Sequence, residues 1–298
     1  MKKLNKNPEV SVILPVYNSA LYLEACLNSI YAQTYRDFEI IAVDDFSTDD
    51  SYKILRKYSD KYGKMRILRN HKNRGVSETA KRAIDHAKGQ YLVRMDADDL
   101  MPFDRITKQI KYLKSHKHTV AVGGQVIVID AQNHTIGEKV FPTKHEDIYK
   151  YIYRFVPVQQ ATLTIDREKL PQDFEYYRDG MNTAEEVELF FKLFQYGKIE
   201  NMDETMLYYR MHDKNTSLQN IKETFLLTLI ARIKAVFRYN YQPSFSGIAI
   251  TFIQTIVILT LPQGLVLSIY RNVRQGGLVK FAKSLIRRPS PVAPFSAK

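Results

Sequence analysis

Short apolar runs alternate with helically spaced segments through the first 130 residues, and this alternation limits the possible folds more than any other feature of the chain. Ser11–Tyr17 (SVILPVY) is a continuous apolar run, the pattern of a strand buried on both faces. Ala20–Thr34 follows, with Leu23, Cys26, Leu27 and Ile30 at helical spacing. Phe38–Val43 is the next strand, Asp49–Tyr62 the next helix, Met65–Leu68 the third strand and Gly75–Ala87 the third helix. Gln90–Met95 is a fourth strand. Pro102 is expected to open a helix running to about Ser115, since the first helical position needs no N–H donor, and Val120–Asp130 is a further strand. Such alternation predicts an α/β fold with a doubly wound, mostly parallel sheet flanked by helices.

In sheets of this kind ligands bind beyond the carboxyl ends of the strands. The distinctive polar residues fall there: Tyr17-Asn18, Asp44-Asp45 and Asp96-Ala97-Asp98-Asp99. Three carboxylates within four residues repel one another and raise each other's pKa. A divalent cation resolves that repulsion, because Mg²⁺ and Mn²⁺ take oxygen ligands and keep positions open for phosphate. An acidic loop ahead of a helix would look the same in isolation. Beyond residue 131 the pattern is less regular, with helices at His145–Tyr153 and Ala184–Tyr196 and strands at Gln160–Ile165 and Met206–Met211.

The net charge of +12 is unevenly placed. Residues 221–298 hold 11 basic residues and one acid, Glu223, whereas residues 1–220 are nearly neutral. Residues 221–241 form an amphipathic helical pattern, and residues 239–270 follow with no charge. That length could span a bilayer, but Pro262-Gln263-Gly264 interrupts it and both flanks are basic, which puts one flank of a single span on the disfavoured side. Interfacial helices or a helical hairpin on an anionic membrane are therefore expected, with a true span, or a buried helix pair or oligomer contact, as alternatives. No nucleic-acid partner is expected, because the basic residues flank an apolar run instead of interleaving with aromatics. The single Cys26 excludes an intramolecular disulfide, and its spacing suggests a buried thiol. Lys2, Lys3 and Lys6 precede Pro8, Glu9 and an apolar run too short for a secretory signal.

The runs SVILPVYN, FEIIAVDDFSTDDS and NRGVSETAKRAIDHAKGQYLVRMDADDLMPFDR, in that order and spacing, resemble the family-2 glycosyltransferases of GT-A fold. AEEVELFFKL resembles the family's acidic helix and YYRMHDKNTS its closing Tyr-Arg-x-His segment. The resemblance covers about residues 9–217 and implies a catalytic domain at 1–220; the charge and apolar pattern beyond it makes 221–298 a membrane-associating helical region. It further implies transfer of a sugar, with inversion, from a UDP- or GDP-linked nucleotide-sugar donor to a hydroxyl of a glycan or lipid-linked acceptor. The cofactor would be Mn²⁺ or Mg²⁺. The setting would be bacterial surface-polysaccharide or lipopolysaccharide assembly, peripheral or monotopic on the cytoplasmic face of the cell membrane.

By that resemblance Pro15, Tyr17 and Asp45 line the nucleotide pocket, with Asp45 accepting a hydrogen bond from the base. Asp96 faces the ribose or diphosphate. Asp98 is the metal ligand, Asp99 supports it, and His212 completes metal or diphosphate binding. The acceptor hydroxyl needs a base. The family places Glu-Asp at the start of its acidic helix. This chain has Glu185-Glu186, which puts Glu186 in the base position. Glu188, about 200° further round the helix, should face elsewhere. Lys81 and Ala83 stand where relatives often carry Asn and Gly, and Lys81 could meet the diphosphate as a point charge. Gln159-Gln160-Ala161 replaces a His-Pro-Ser stretch, leaving the donor sugar open. The amides of Arg74-Gly75 at a helix start could meet an anion. Two other classes are weighed. A sugar nucleotidyltransferase would need a Gly-rich loop that PVYNSALYLE lacks, and a catalytically inactive GT-A scaffold would not need the acidic motifs.

Overall fold

A computed structural model describes residues 7–177, 184–212, 221–262 and 264–266. The chain divides into two compact units, Met1–Phe252 and Ile253–Lys298. In the first, β1 (Val10–Val16), α1 (Ala20–Tyr31), β2 (Phe38–Asp44), α2 (Ser51–Tyr62), β3 (Met65–Arg69), α3 (Val76–Asp85) and β4 (Tyr91–Arg94) follow the expected alternation. They are succeeded by α4 (Arg105–Ser115), β5 (Thr119–Ile129), β6 (Thr135–Lys139), α5 (His145–Tyr151), β7 (Thr164–Asp166), α6 (Glu185–Leu193), β8 (Lys198–Arg210) and α7 (Ile221–Arg238). Helix α8 (Phe245–Thr260) begins in this unit and ends in the second.

The strands form one sheet in the order β3-β2-β1-β4-β7-β5-β6, with β8 on β5. β1 pairs in parallel with β2 and β4, β2 with β3, and β5 with β8, while β7 and β6 run antiparallel to their neighbours. Every residue of β1 is buried, because helices cover both faces of the sheet. Period-two alternation sorts its side chains. Val12 and Leu14 join α1 and α4 in one core, and Ile13 joins α3 and α6 in the other. Pro15 fits this central strand because it lies beyond the paired length of β4, and the Met95 carbonyl it would otherwise face accepts the Arg94 guanidinium.

Four expectations change. Pro102 does not open α4, which starts three residues later at Arg105 with Asp104 as its cap; the Pro102 carbonyl instead accepts from Gln33 Nε2 at 2.7 Å. The strand expected at Gln160–Ile165 is a 3₁₀ turn (Gln160–Thr162) leading into the short β7. β8 is far longer than Met206–Met211, because β5 pairs with it throughout. The approach there is close: a Cβ on Gly124 would lie 2.3 Å from Met206 Cγ. Finally, the first unit runs past the boundary expected at residue 220. Ala231 and Ala235 of α7 sit in the same core as Phe190 and Phe191 of α6, so α7 is built into the domain. No helix among the described residues is long and apolar enough to cross a membrane. The basic stretch beyond residue 270 lies outside the described residues.

Candidate active site

The acidic loop after β4 is clamped from two sides. From α1, the Cys26 thiol donates to the Asp96 carbonyl at 3.4 Å, and just past the end of that helix the Gln33 side-chain oxygen accepts from Ile106 N at 3.1 Å. From β8, Tyr208 and Leu100 exchange backbone hydrogen bonds of 2.8 and 3.1 Å. Burial, and then the charges of Asp99, Asp98 and Asp96, push the Cys26 thiol well above its ordinary range, so it is a structural thiol and not a nucleophile. Beneath the loop lies the fully buried Arg105, donating to the Arg94 carbonyl at 3.0 Å. Burial lowers its pKa to about 9, against the pull of Asp99 and Asp96, which still leaves a cation under the acids at neutral pH.

The three carboxylates have different surroundings. Asp98 Oδ2 lies 2.9 Å from His212 Nε2, with the side chains 28% and 16% exposed. Asp96 pairs with Arg94 at 2.7 Å; burial raises its pKa, Arg94 opposes this and Asp98 adds to it. Asp99 turns inward. Its Oδ1 accepts from the Arg210 backbone N–H at 2.8 Å, and its Oδ2 is sealed without a hydrogen-bond partner. Burial, then Asp98 and Asp96, push its carboxyl well above the usual range. The expected metal residues Asp98, Asp99 and His212 therefore do not converge as a trio. Asp98 meets His212, and Asp99 secures β8. Among the described residues no three His, Cys, Asp or Glu side chains gather as a metal-ligand group.

Arg210, just ahead of His212, explains how β8 reaches the loop. Its guanidinium donates to the carbonyls of Asp98 at 2.8 Å and Asp130 at 2.9 Å, and to Asn133 Oδ1 at 2.7 Å, while lying over the Tyr22 ring at 4.6 Å. Tyr22 also stacks on His212, ring centroids 5.1 Å apart. Sequence reasoning did not assign Arg94, Arg210 or Tyr22. The available signal was a cation within the strand-end motifs VRMDADD and YYRMH.

On the nucleotide side, Asp45 is 2% exposed and accepts from Asn70 Nδ2 at 2.7 Å and from the amides of Arg74 and Gly75, both at 2.9 Å. Those two amides are thus engaged by Asp45, in place of the anion expected from the sequence. Tyr17, at the end of β1, is half exposed. Next to it Asn18 Oδ1 accepts from Thr48 N at 2.8 Å, tying the loops after β1 and β2 together. Phe46, beside Asp45, has a φ of 64° and an exposed side chain, an uncommon backbone for a bulky residue. Lys81 is half-buried on α3.

Glu186 lies in the first turn of α6, preceded by Ala184 in the left-handed region at φ 60°. Burial raises its pKa; the charge of Asp96 adds to this and Arg94 partly offsets it. The fold thus sets Glu186 in the electrostatic field of the β4 loop, ninety residues away in sequence. Glu188 faces elsewhere, as expected, with its oxygens 2.8 Å from Tyr239 OH and 3.6 Å from Lys234 Nζ of α7.

A sheet of this order, with its polar loops gathered beyond the carboxyl ends of β1, β2 and β4, defines the class of GT-A glycosyltransferases. Its shape agrees: Staphylococcus aureus TarS 1–349, solved in complex with UDP-GlcNAc, superposes with a TM-score of 0.59 over 75% of this chain and 66% of that one at 21% identity. The chain belongs to glycosyl transferase family 2, whose model matches residues 11–170. It is 29% identical over 197 residues to the putative glycosyltransferase EpsE of Bacillus subtilis, covering 65% of this chain and 69% of that one. It is 27% identical over 215 residues to the Escherichia coli UDP-Glc:alpha-D-GlcNAc-diphosphoundecaprenol beta-1,3-glucosyltransferase WfaP, covering 72% and 82%.

Proposed function

We propose that this enzyme transfers a sugar from a nucleoside-diphosphate donor to a glycan or lipid-linked hydroxyl with inversion, in polysaccharide or lipopolysaccharide synthesis at the cytoplasmic face of the cell membrane. UDP-linked donors are the first to test, because the names of WfaP and of the TarS complex specify UDP sugars. The observation that carries the reading is the contact of Asp98 with His212, 114 residues apart, in the loop whose Asp96 raises the pKa of Glu186. Tyr17, Asp45 and the buried Pro15 border the nucleotide side, and Lys81 is a candidate cation for the diphosphate.

The chemistry of the pair fits a divalent cation: one carboxylate and one imidazole, both partly exposed. Asp98 and His212 would hold Mn²⁺ or Mg²⁺, with Asp99 fixing β8 behind them. When bound, the ion would neutralise charge on the departing diphosphate. Glu186 takes the proton of the acceptor hydroxyl as its oxygen bonds to the anomeric carbon and the carbon–diphosphate bond breaks. A single base opposite the leaving group accounts for inversion.

Screening nucleotide sugars for Mn²⁺-dependent hydrolysis and thermal stabilisation tests the proposal and identifies the donor. Asp98→Ala is expected to abolish the metal dependence. If no donor is hydrolysed or bound with any divalent cation, the reading fails.

A further inference from the structure

Helix α7 carries an outward apolar stripe. Leu226, Ile230, Ile233 and Phe237 are 42%, 48%, 48% and 84% exposed. Their spacing of four, three and four residues keeps them within an arc of about 60°. The opposite face is anchored by Ala231 and Ala235, both fully buried. The first half of α8 repeats the arrangement. Gly247 and Thr251 face inward, with Thr251 Oγ1 donating to the Tyr153 carbonyl at 2.6 Å, while Phe245 and Phe252 are 88% and 66% exposed. Contiguous apolar surface rimmed by polar residues marks a docking face.

We propose that these stripes seat the enzyme on an anionic bilayer. The membrane partner follows from charge. On α7, Lys222, Lys234 and Arg238 stay outside the core against one acid of that helix, Glu223, so a second copy of this face would bring like charge onto like, whereas anionic headgroups neutralise it. Lys222 and Arg238 lie at the two ends of the α7 stripe. The 18 residues of α7 give about 27 Å of helix that can lie along an interface.

The test uses the full chain and flotation with vesicles. Binding to equal parts phosphatidylcholine and phosphatidylglycerol is expected to exceed binding to phosphatidylcholine alone at least ~tenfold, and to weaken with salt. Ile230→Ser and Phe237→Ser are each expected to lower binding by about tenfold, with melting temperature and donor hydrolysis unchanged. The chain has no Trp, so Phe237→Trp supplies a single probe. Its emission should shift to the blue on anionic vesicles and be quenched by brominated lipid, while Tyr62→Trp on α2 should respond to neither. Wild-type binding by both Ser variants, equal binding to uncharged vesicles, or a dimer that the Ser variants dissociate would each overturn the proposal. Hydrolysis by wild type against Asp98→Ala reads the active site separately, so docking and catalysis can fail independently.

Discussion

At Glu186 the environment sets both the chemistry and the pH response. A base must be ionised, and burial and Asp96 raise this carboxyl above its ordinary range. The acid limb of kcat/KM should therefore lie above the normal carboxylate pKa, and Glu186→Gln should lower transfer by roughly 10²- to 10⁴-fold while sparing donor binding. The stability consequence has a definite sign. A carboxyl with a raised folded-state pKa favours the fold fully below its unfolded pKa, and that contribution is lost as pH rises through the folded value. Glu186→Gln should thus melt higher than wild type at pH 8, with the difference closing on acidification, as thermal unfolding across pH would show. Arg210 is the opposite case, since its side chain is buried and its partners are part-buried carbonyls. Arg210→Met removes their charged donor, leaving the Asp130 carbonyl only Asn133 N at 3.2 Å, and should cost about 3 kcal/mol in denaturant unfolding. The residue types at these positions were visible in the sequence, but their directions were not. Asp98 and Asp99 are adjacent and chemically identical, and only the strand crossing at Arg210 decides that one faces His212 and the other faces inward.

Elements whose character is local were legible. β1, β2, β3 and β4 and the intervening helices follow from apolar runs and helical spacing, because each is buried by its immediate neighbours. Elements defined by a distant partner were not. β6 and the first half of β8 carry weak patterns and exist because β5 pairs with them. Pro102 looked like a helix start, but its carbonyl is held by Gln33, two residues past the end of α1. The β5–β8 crossing offers a direct test: Gly124→Ala places a methyl against Met206 and should destabilise the fold by about 1–3 kcal/mol through overpacking, measurable by chemical denaturation.

For the whole molecule, the division of charge was readable from composition, but the division of structure was not. Residue 220 marks a change in charge, yet α7 packs its small residues on α6 and the compact unit continues to Phe252. A chain ending at Asn220 should therefore lose more than a membrane contact. It exposes Phe190 and Phe191 and should melt lower than the full chain by calorimetry.

The clamp between α1 and the acidic loop has one more consequence. Cys26 is the chain's sole cysteine, and its thiol is sealed against the Asp96 carbonyl. A thiol reagent can reach it only when that junction comes apart. The labelling rate of the native enzyme is accordingly a clock for local opening at the catalytic loop, read from one atom without any engineered probe. A donor that braces the loop would slow the clock.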